Sequence, residues 1–356
     1  MKYIKEFLEL SLSEQQAALS HVATQKGLPL VVVEKDLWVT IVLHILFGEN
    51  GSRGILFKGG TSLSKGFNLI DRFSEDIDVT YSIDTLKEYY GEFENPWNYF
   101  DAINTNDKWS NKKLERELSN LKDIGQKYTD EILLKIVEDE ITKIIDLPFE
   151  IVSQGEMTLY IHYPKLLDDS EYGGYIEPKI KIEAGVRSAR VPTIKKSIDS
   201  FFEQVLGKSD AIEVDILRPD RTFWEKATIL HAENSRNEPS RIEKRNHMSR
   251  HIYDLVKLYN SEYGKMAINN LELLADVVQH KSTFYKDNRA DYPNATPKAI
   301  KIVPTDELNN SFKVDYEDMA KSMIIGSPPT YKELIVILHK IEINISEKEK
   351  ILDKRN

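Results

Sequence analysis

The stretch that most constrains this chain runs from Ile55 to Thr80 and reads ILFKGGTSLSKGFNLIDRFSEDIDVT. A short apolar run, Ile55 to Phe57, enters a Gly59-Gly60-Thr61-Ser62 turn. A compact amphipathic segment follows, and a second run, Phe73 to Val79, carries two carboxylates. The pattern predicts strand, glycine turn, helix and strand. Side chains alternate along a strand, so Phe73, Ile77 and Val79 are expected to face a core and Ser74, Asp76 and Asp78 the opposite side. Adjacent carboxylates repel each other, a cation stabilises both charges, and hard oxygen donors of this kind suit Mg²⁺. Glycines ahead of a helix let backbone N–H groups approach a phosphate closely. Either half alone reads equally well as a surface turn or as a solvated edge strand. Their joint spacing points to the minimal apparatus for nucleotidyl transfer.

KGGTSLSK followed by RFSEDIDV is similar to the signature of the AbiEii-type abortive-infection toxins, a branch of the polymerase β-like nucleotidyltransferase superfamily. The resemblance extends from Glu34-Lys35-Asp36 to Asp254. It implies an α/β fold in which a nucleotidyltransferase lobe with a small mixed sheet precedes a C-terminal helical lobe. In that family Lys58, Gly59, Gly60, Thr61 and Ser62 correspond to the nucleotide-binding turn, and Asp76 and Asp78 to the metal-binding pair.

Of 356 residues, 41% are apolar and 30% charged, the balance of a globular protein with room for one large or two ordinary cores. The absence of cysteine excludes disulfides and thiolate-ligated zinc, and a reducing compartment is expected. The N-terminal MKYIKEFLELSLSEQQ lacks the apolar run and small-residue cleavage site of a signal peptide. The most apolar stretch, Leu28 to Phe47, contains Glu34, Lys35, Asp36 and His44 and is too polar to span a bilayer. A cytoplasmic protein without a membrane partner is the expectation. The net charge of −10 argues against a general nucleic-acid coat, which depends on many Lys and Arg contacts to phosphate, while leaving room for a local basic groove.

Ser13 opens a capping-box pattern for a helix ending near Gly27. In Val31 to Phe47, Val33, Leu37, Ile41 and Ile45 are spaced for a buried helix face, with Glu34 to Asp36 at its polar start. Acids there are favourable at the helix N-terminus. In the family this helix packs beside the nucleotide site. Residues 84–150 read as a helical insertion, with an aromatic-rich segment from Tyr89 to Trp109. A polar run, Asn111 to Asp146, follows, in which Leu114, Leu118, Leu121 and Ile124 recur at helical spacing.

Strands are predicted at Met157 to Tyr163, Tyr175 to Val186 and Ile212 to Leu217. Alternation puts Glu183 on a polar face of the second and Asp215 on a polar face of the third. Polymerase β-like sites need a third carboxylate on a neighbouring strand to share the metal and take a proton from the attacking hydroxyl. Glu183 is the first choice and Asp215 its rival.

Arg218-Pro219 marks a boundary, Asp220 is a candidate cap, and a helix runs from Arg221 with Phe223, Ala227 and Leu230 on its buried face. Read from the residues alone, Lys226 is solvated or paired with Glu225 or Glu233. The resemblance instead turns it toward the triphosphate. Glu243 to His251 is the most basic part of the chain. The family pattern of Arg followed by Tyr-Asp-Leu matches Arg250 and Tyr253-Asp254-Leu255, and implies that Asp254 orients Lys226. A pairing of Asp254 with Lys257 or Arg250 is the structural alternative. His247 and His251 lack a third metal ligand. Asp287 to Pro297 reads as an exposed loop, and the charged C-terminal run is expected to fray.

The expected organisation is a nucleotidyltransferase domain over 1–218 and a helical domain over 219–356, with a nucleoside triphosphate in the cleft. Asp76, Asp78 and Glu183 would hold Mg²⁺ or Mn²⁺. The resemblance implies an RNA acceptor, the tRNA 3′ end, and a toxin of a phage-defence toxin–antitoxin pair held in check by an antitoxin. A small-molecule or protein hydroxyl is the alternative acceptor, and a nucleotide-binding module without turnover is a reading of another class.

Overall fold

The computed structural model describes residues 1–101, 109–172, 177–245 and 247–353. Part of the aromatic-rich segment (102–108), Tyr175 and Ile176 of the second predicted strand, Asn246 of the basic run and residues 354–356 lie outside the described residues. The chain forms two compact units, one of residues 1–67 and 73–216, the other of residues 68–72 and 217–356.

The first unit is mixed α/β. Its strands are β1 (Ile55–Lys58), β2 (Ile77–Tyr81), β3 (Glu150–Ser153), β4 (Thr158–His162), β5 (Lys179–Gly185), β6 (Thr193–Ile198) and β7 (Ile212–Leu217). They make one seven-stranded sheet in the order β3-β4-β5-β2-β1-β7-β6. β2 is antiparallel to β1 and parallel to β5, and β1 is parallel to β7. The sheet is larger than the small one expected, because β3 and β6 escape a sequence reading. β3 has only four residues, and in β6 the sequence TIKKSI offers no clean alternation. β2 begins at Ile77 rather than Phe73. β1 ends at Lys58, whose partner is Asp78, so residues 73–76 have no β1 residue to pair with. Ile77 and Val79 are buried as expected, while Phe73 is only half-buried.

The capping box belongs to Ser11, whose N–H donates to Glu14 at 2.9 Å, not to Ser13; the helix Leu12–Lys26 ends at Gly27 with φ +65. The helix Leu30–Phe47 is apolar on nearly every side, and such helices are buried all round. Its Glu34, Lys35 and Asp36 are therefore interior, 0%, 1% and 6% exposed, rather than a solvated first turn.

The helix Asn111–Tyr128 continues through a π turn at Thr129–Leu133 into Leu134–Thr142. It buries Leu114, Leu118 and Leu121, with Gly125 in place of the expected Ile124. A Cβ on Gly125 would stand 2.6 Å from Val186 Cγ1 and 2.7 Å from the Met157 sulfur, so this helix lies hard against the segments flanking β4 and β5.

The second unit is helical, built chiefly on Pro219–Arg236, Arg250–Tyr259, Leu271–Phe284, Asp306–Met323 and Tyr331–Asp353. The first of these starts at Pro219 in the N1 position, earlier than the expected Arg221. Asp220 does not cap it; it is buried and accepts two hydrogen bonds from Arg218, at 2.8 and 2.6 Å. Asp287 to Pro297 is not an exposed loop throughout: Ala290 and Tyr292 are buried with Ala232, and Asp291 O lies 3.0 Å from His231 Nε2. The last helix runs to Asp353, and the final three residues of the charged C-terminal run lie outside the described residues.

Candidate active site

β1 delivers Lys58 into Gly59, the first residue of the helix Gly59–Lys65. Gly59 has φ +77, a left-handed backbone that other residues adopt only at a cost. The adjacent Asp78 leaves no room for a side chain there, since a Cβ would stand 1.9 Å from its Oδ2. The Thr61 hydroxyl donates to Asp76 O at 2.6 Å and to Ser74 Oγ at 3.0 Å, while Ser62 Oγ donates to Gly59 O at 2.9 Å. Both hydroxyls thus turn inward and fix the turn and the segment before β2.

Across the sheet, Lys58, Asp78 and Glu183 stand at one level, Lys58 pairing with Asp78 on β1 and β2 and Asp78 with Glu183 on β2 and β5. Paired residues share a face, so the acids of β2 and β5 are neighbours. Asp76 lies just ahead of β2. Burial above all, and then the carboxylates of Glu183, Asp78 and Glu75, push its carboxyl up to about 6 against the opposing pull of Lys181. Asp215 lies on β7, on the far side of β1, and pairs with Lys195 at 3.1 Å.

A divalent cation suits this donor set in kind: hard carboxylate oxygens, Asp78 and Glu183 at one level of the sheet with Asp76 just ahead of β2. Among the described residues, however, no three acidic or imidazole groups converge on one point, and Glu183 is ion-paired with Lys181 two residues before it.

Sequence reasoning passed over Glu75 and gave Lys35 no partner. The Lys35 ammonium lies 2.7 Å from Glu75 Oε2 and donates to Glu177 O at 2.6 Å. Glu34 accepts from Leu166 N at 2.7 Å and from the Tyr172 hydroxyl, and Asp36 accepts from Phe201 N at 2.7 Å and pairs with Lys65. Only the hydropathy of the surrounding helix signals that these charges must be interior.

In the second unit Lys226 is buried and pairs with Asp254 at 2.7 Å, rather than with Glu225 or Glu233. Asp254, wholly buried, also accepts from Arg72 Nε at 2.7 Å and Nη2 at 2.8 Å. Its partners are therefore neither Lys257, which pairs with Asp71, nor Arg250. Burial opposes ionisation of Asp254, but Arg72 and Lys226 outweigh it and hold the carboxyl well below the usual range. Burial lowers the basicity of the Lys226 ammonium. The His251 imidazole is kept neutral by burial and by the nearby Lys226 and Arg250. Arg72 belongs to the RFSEDIDV motif, yet no local pattern announces a partner 182 residues away.

The basic run is less available than its composition suggests: Arg241 and Arg245 both reach Glu233, at 3.2 and 3.8 Å, and His247 is buried. Among the described residues no helix is long and apolar enough to cross a membrane.

A glycine turn locked to a strand aspartate, with acids at one level of a mixed sheet, has the character of the nucleotidyltransferase class. Residues 44–345 match the family model described as nucleotidyl transferase AbiEii toxin, type IV toxin–antitoxin system, and the chain belongs to that family. No curated protein matches. Among solved structures the chain is similar to MenT4, a nucleotidyltransferase toxin from Mycobacterium tuberculosis H37Rv. The identity is 14%, covering 93% of this chain and 92% of that one, with a TM-score of 0.47.

Proposed function

We propose that this toxin transfers a nucleotide from a nucleoside triphosphate to RNA, at the tRNA 3′ end, in a reaction that depends on Mg²⁺. The observation that carries the metal dependence is the alignment of Asp78 with Glu183 across β2 and β5, with Asp76 pushed up to about 6 beside them. Asp76, Asp78 and Glu183 are the residues that would hold the ion. When bound, Mg²⁺ supplies charge neutralisation at the reacting phosphate. Glu183 rather than Asp215 is the third carboxylate and accepts the proton of the attacking hydroxyl, which its place beside Asp78 supports.

Lys58 and the Gly59-Gly60-Thr61-Ser62 backbone take the phosphates in this reading. The Thr61 and Ser62 hydroxyls contribute by holding the turn rather than by direct contact, since both are bonded inward. Lys226 contacts the triphosphate, and Asp254 holds its ammonium. Two buried cations, Arg72 and Lys226, meet on that one carboxylate, which fixes the position of the Lys226 ammonium.

The test is incubation of the protein with Mg²⁺, each α-labelled nucleoside triphosphate in turn and total cellular RNA, with Asp78→Ala as control. Label on tRNA-sized RNA that disappears in the variant is the expected result; label retained by folded Asp78→Ala would sink the assignment. A second acceptor, a small-molecule or protein hydroxyl, is favoured by the net charge of −10 and by the pairing of Arg241 with Glu233. Pyrophosphate release without labelled RNA would select it.

A further inference from the structure

We propose that Lys35 is a positioning residue for the acidic centre. Through Glu75 it holds the segment Ser74–Asp76 where Asp76 and Asp78 can take a divalent cation, an inference that rests on the reading of that pair as the cation site.

A lysine 1% exposed is expensive to keep, and a methionine would fill the same volume without the cost. Its ammonium lies against an acidic and a carbonyl oxygen, with Glu75 at 2.7 Å and Glu177 O at 2.6 Å. Burial lowers its basicity, while the charges of Glu75, Asp76 and Glu177 work in the opposite sense. The neighbouring charges of the same helix turn do other work: Glu34 ties Leu166 and Tyr172, and Asp36 ties Lys65 and Phe201. Lys35 alone of the three reaches the segment that carries the acids.

That segment needs holding. Residues 73–76 precede β2 and have no partner on β1, whose last pairing is Lys58 with Asp78. Among the contacts that restrain them are the Thr61 hydroxyl, on Asp76 O at 2.6 Å and on Ser74 Oγ at 3.0 Å, and the Lys35 ammonium on Glu75. Glu75 and Asp76 are consecutive, so a displacement of one carries the other. Residues that fix ligands from behind in this way commonly change metal affinity by about 10–100-fold when removed.

The experiment measures binding of Mn²⁺ alone to the full chain, by the electron paramagnetic resonance signal of the free ion. Glu75→Gln is compared with Glu75→Ala. Both remove one negative charge, but only glutamine keeps an oxygen for the ammonium, so their difference reports the tether and not the field. Glu75→Ala is expected to bind Mn²⁺ about tenfold more weakly than Glu75→Gln. Equal affinity in the two folded variants overturns the proposal. Lys35→Gln against Lys35→Met gives the same comparison from the other side, donor kept or lost at equal charge, should a Glu75 variant not fold. Asp78→Ala is titrated in parallel. If it binds Mn²⁺ as tightly as the native chain, the cation site itself is misassigned; if it loses binding while the paired variants coincide, only the role of Lys35 falls.

Discussion

The carboxylate of Asp78 rests against the bare Cα of Gly59, so closely that a methyl group on the glycine would stand 1.9 Å from Oδ2. Turn and acid are thereby one device, since the residue that shapes the first also sets the position of the second. Gly59→Ala meets a left-handed φ of +77 as well as the clash. The backbone effect alone costs about 1–2 kcal/mol. Displacement of Asp78 is expected to lower nucleotide transfer on the order of 100-fold. Thermal unfolding and label transfer on the same preparation separate the two effects, and wild-type transfer by Gly59→Ala contradicts the coupling.

Asp254→Asn leaves Arg72 and Lys226 buried against an uncharged amide. Breaking a buried pair in this way costs about 3–5 kcal/mol at neutral pH. The sign with pH follows from the depressed carboxyl. Its stabilisation is fully present above the unfolded-state value of about 3.9 and is lost as pH falls toward the lower folded-state value. Denaturant unfolding from pH 7 to pH 3 should therefore show the native protein and the variant converging below about pH 4. A gap that stays constant with pH would mean that the Asp254 charge is not its source.

At Gly125 the test is packing without chemistry. A methyl group there would meet Val186 Cγ1 at 2.6 Å and the Met157 sulfur at 2.7 Å, which leaves no space. Gly125→Val is expected to destabilise by about 1–3 kcal/mol through overpacking. Transfer measured well below the melting temperature should be close to native, because the acids of β2 and β5 are untouched. A loss of activity in a folded variant would tie this helix to the reaction.

Chelation addresses the cation directly. Excess EDTA should abolish label transfer, and Mg²⁺ or Mn²⁺ should restore it, while Ca²⁺, which prefers a larger and more flexible oxygen shell, restores little. Transfer that continues in EDTA would remove the metal from the reaction.

How much of this was readable in advance depends on the range of the interaction. Ile55 to Asp78 declared itself through local rules. Alternation placed Ile77 and Val79 inside, the double glycine marked the turn, and RFSEDIDV beside KGGTSLSK pointed to the family whose model covers residues 44–345. Glu183 falls on the polar face of IKIEA whatever its neighbours are, because the period of a strand is two. The same local reasoning misplaced the start of β2, because strand ends are set by where the partner runs out, and that partner is Lys58.

What alternation and motifs could not decide was the company each charge keeps. Nothing near Asp254 distinguishes Arg72 from Arg250 or Lys257 as its partner, and nothing near Lys35 names Glu75. Sequence by itself determined the family, the strand–turn–helix–strand core and the shared face of Asp78 and Glu183, since each follows from neighbours along the chain and from side-chain period. Tertiary structure decided which buried charges meet. A charge in the interior must find its counterion among groups that folding brings within about 3 Å, and proximity of that kind is a property of packing rather than of order along the chain.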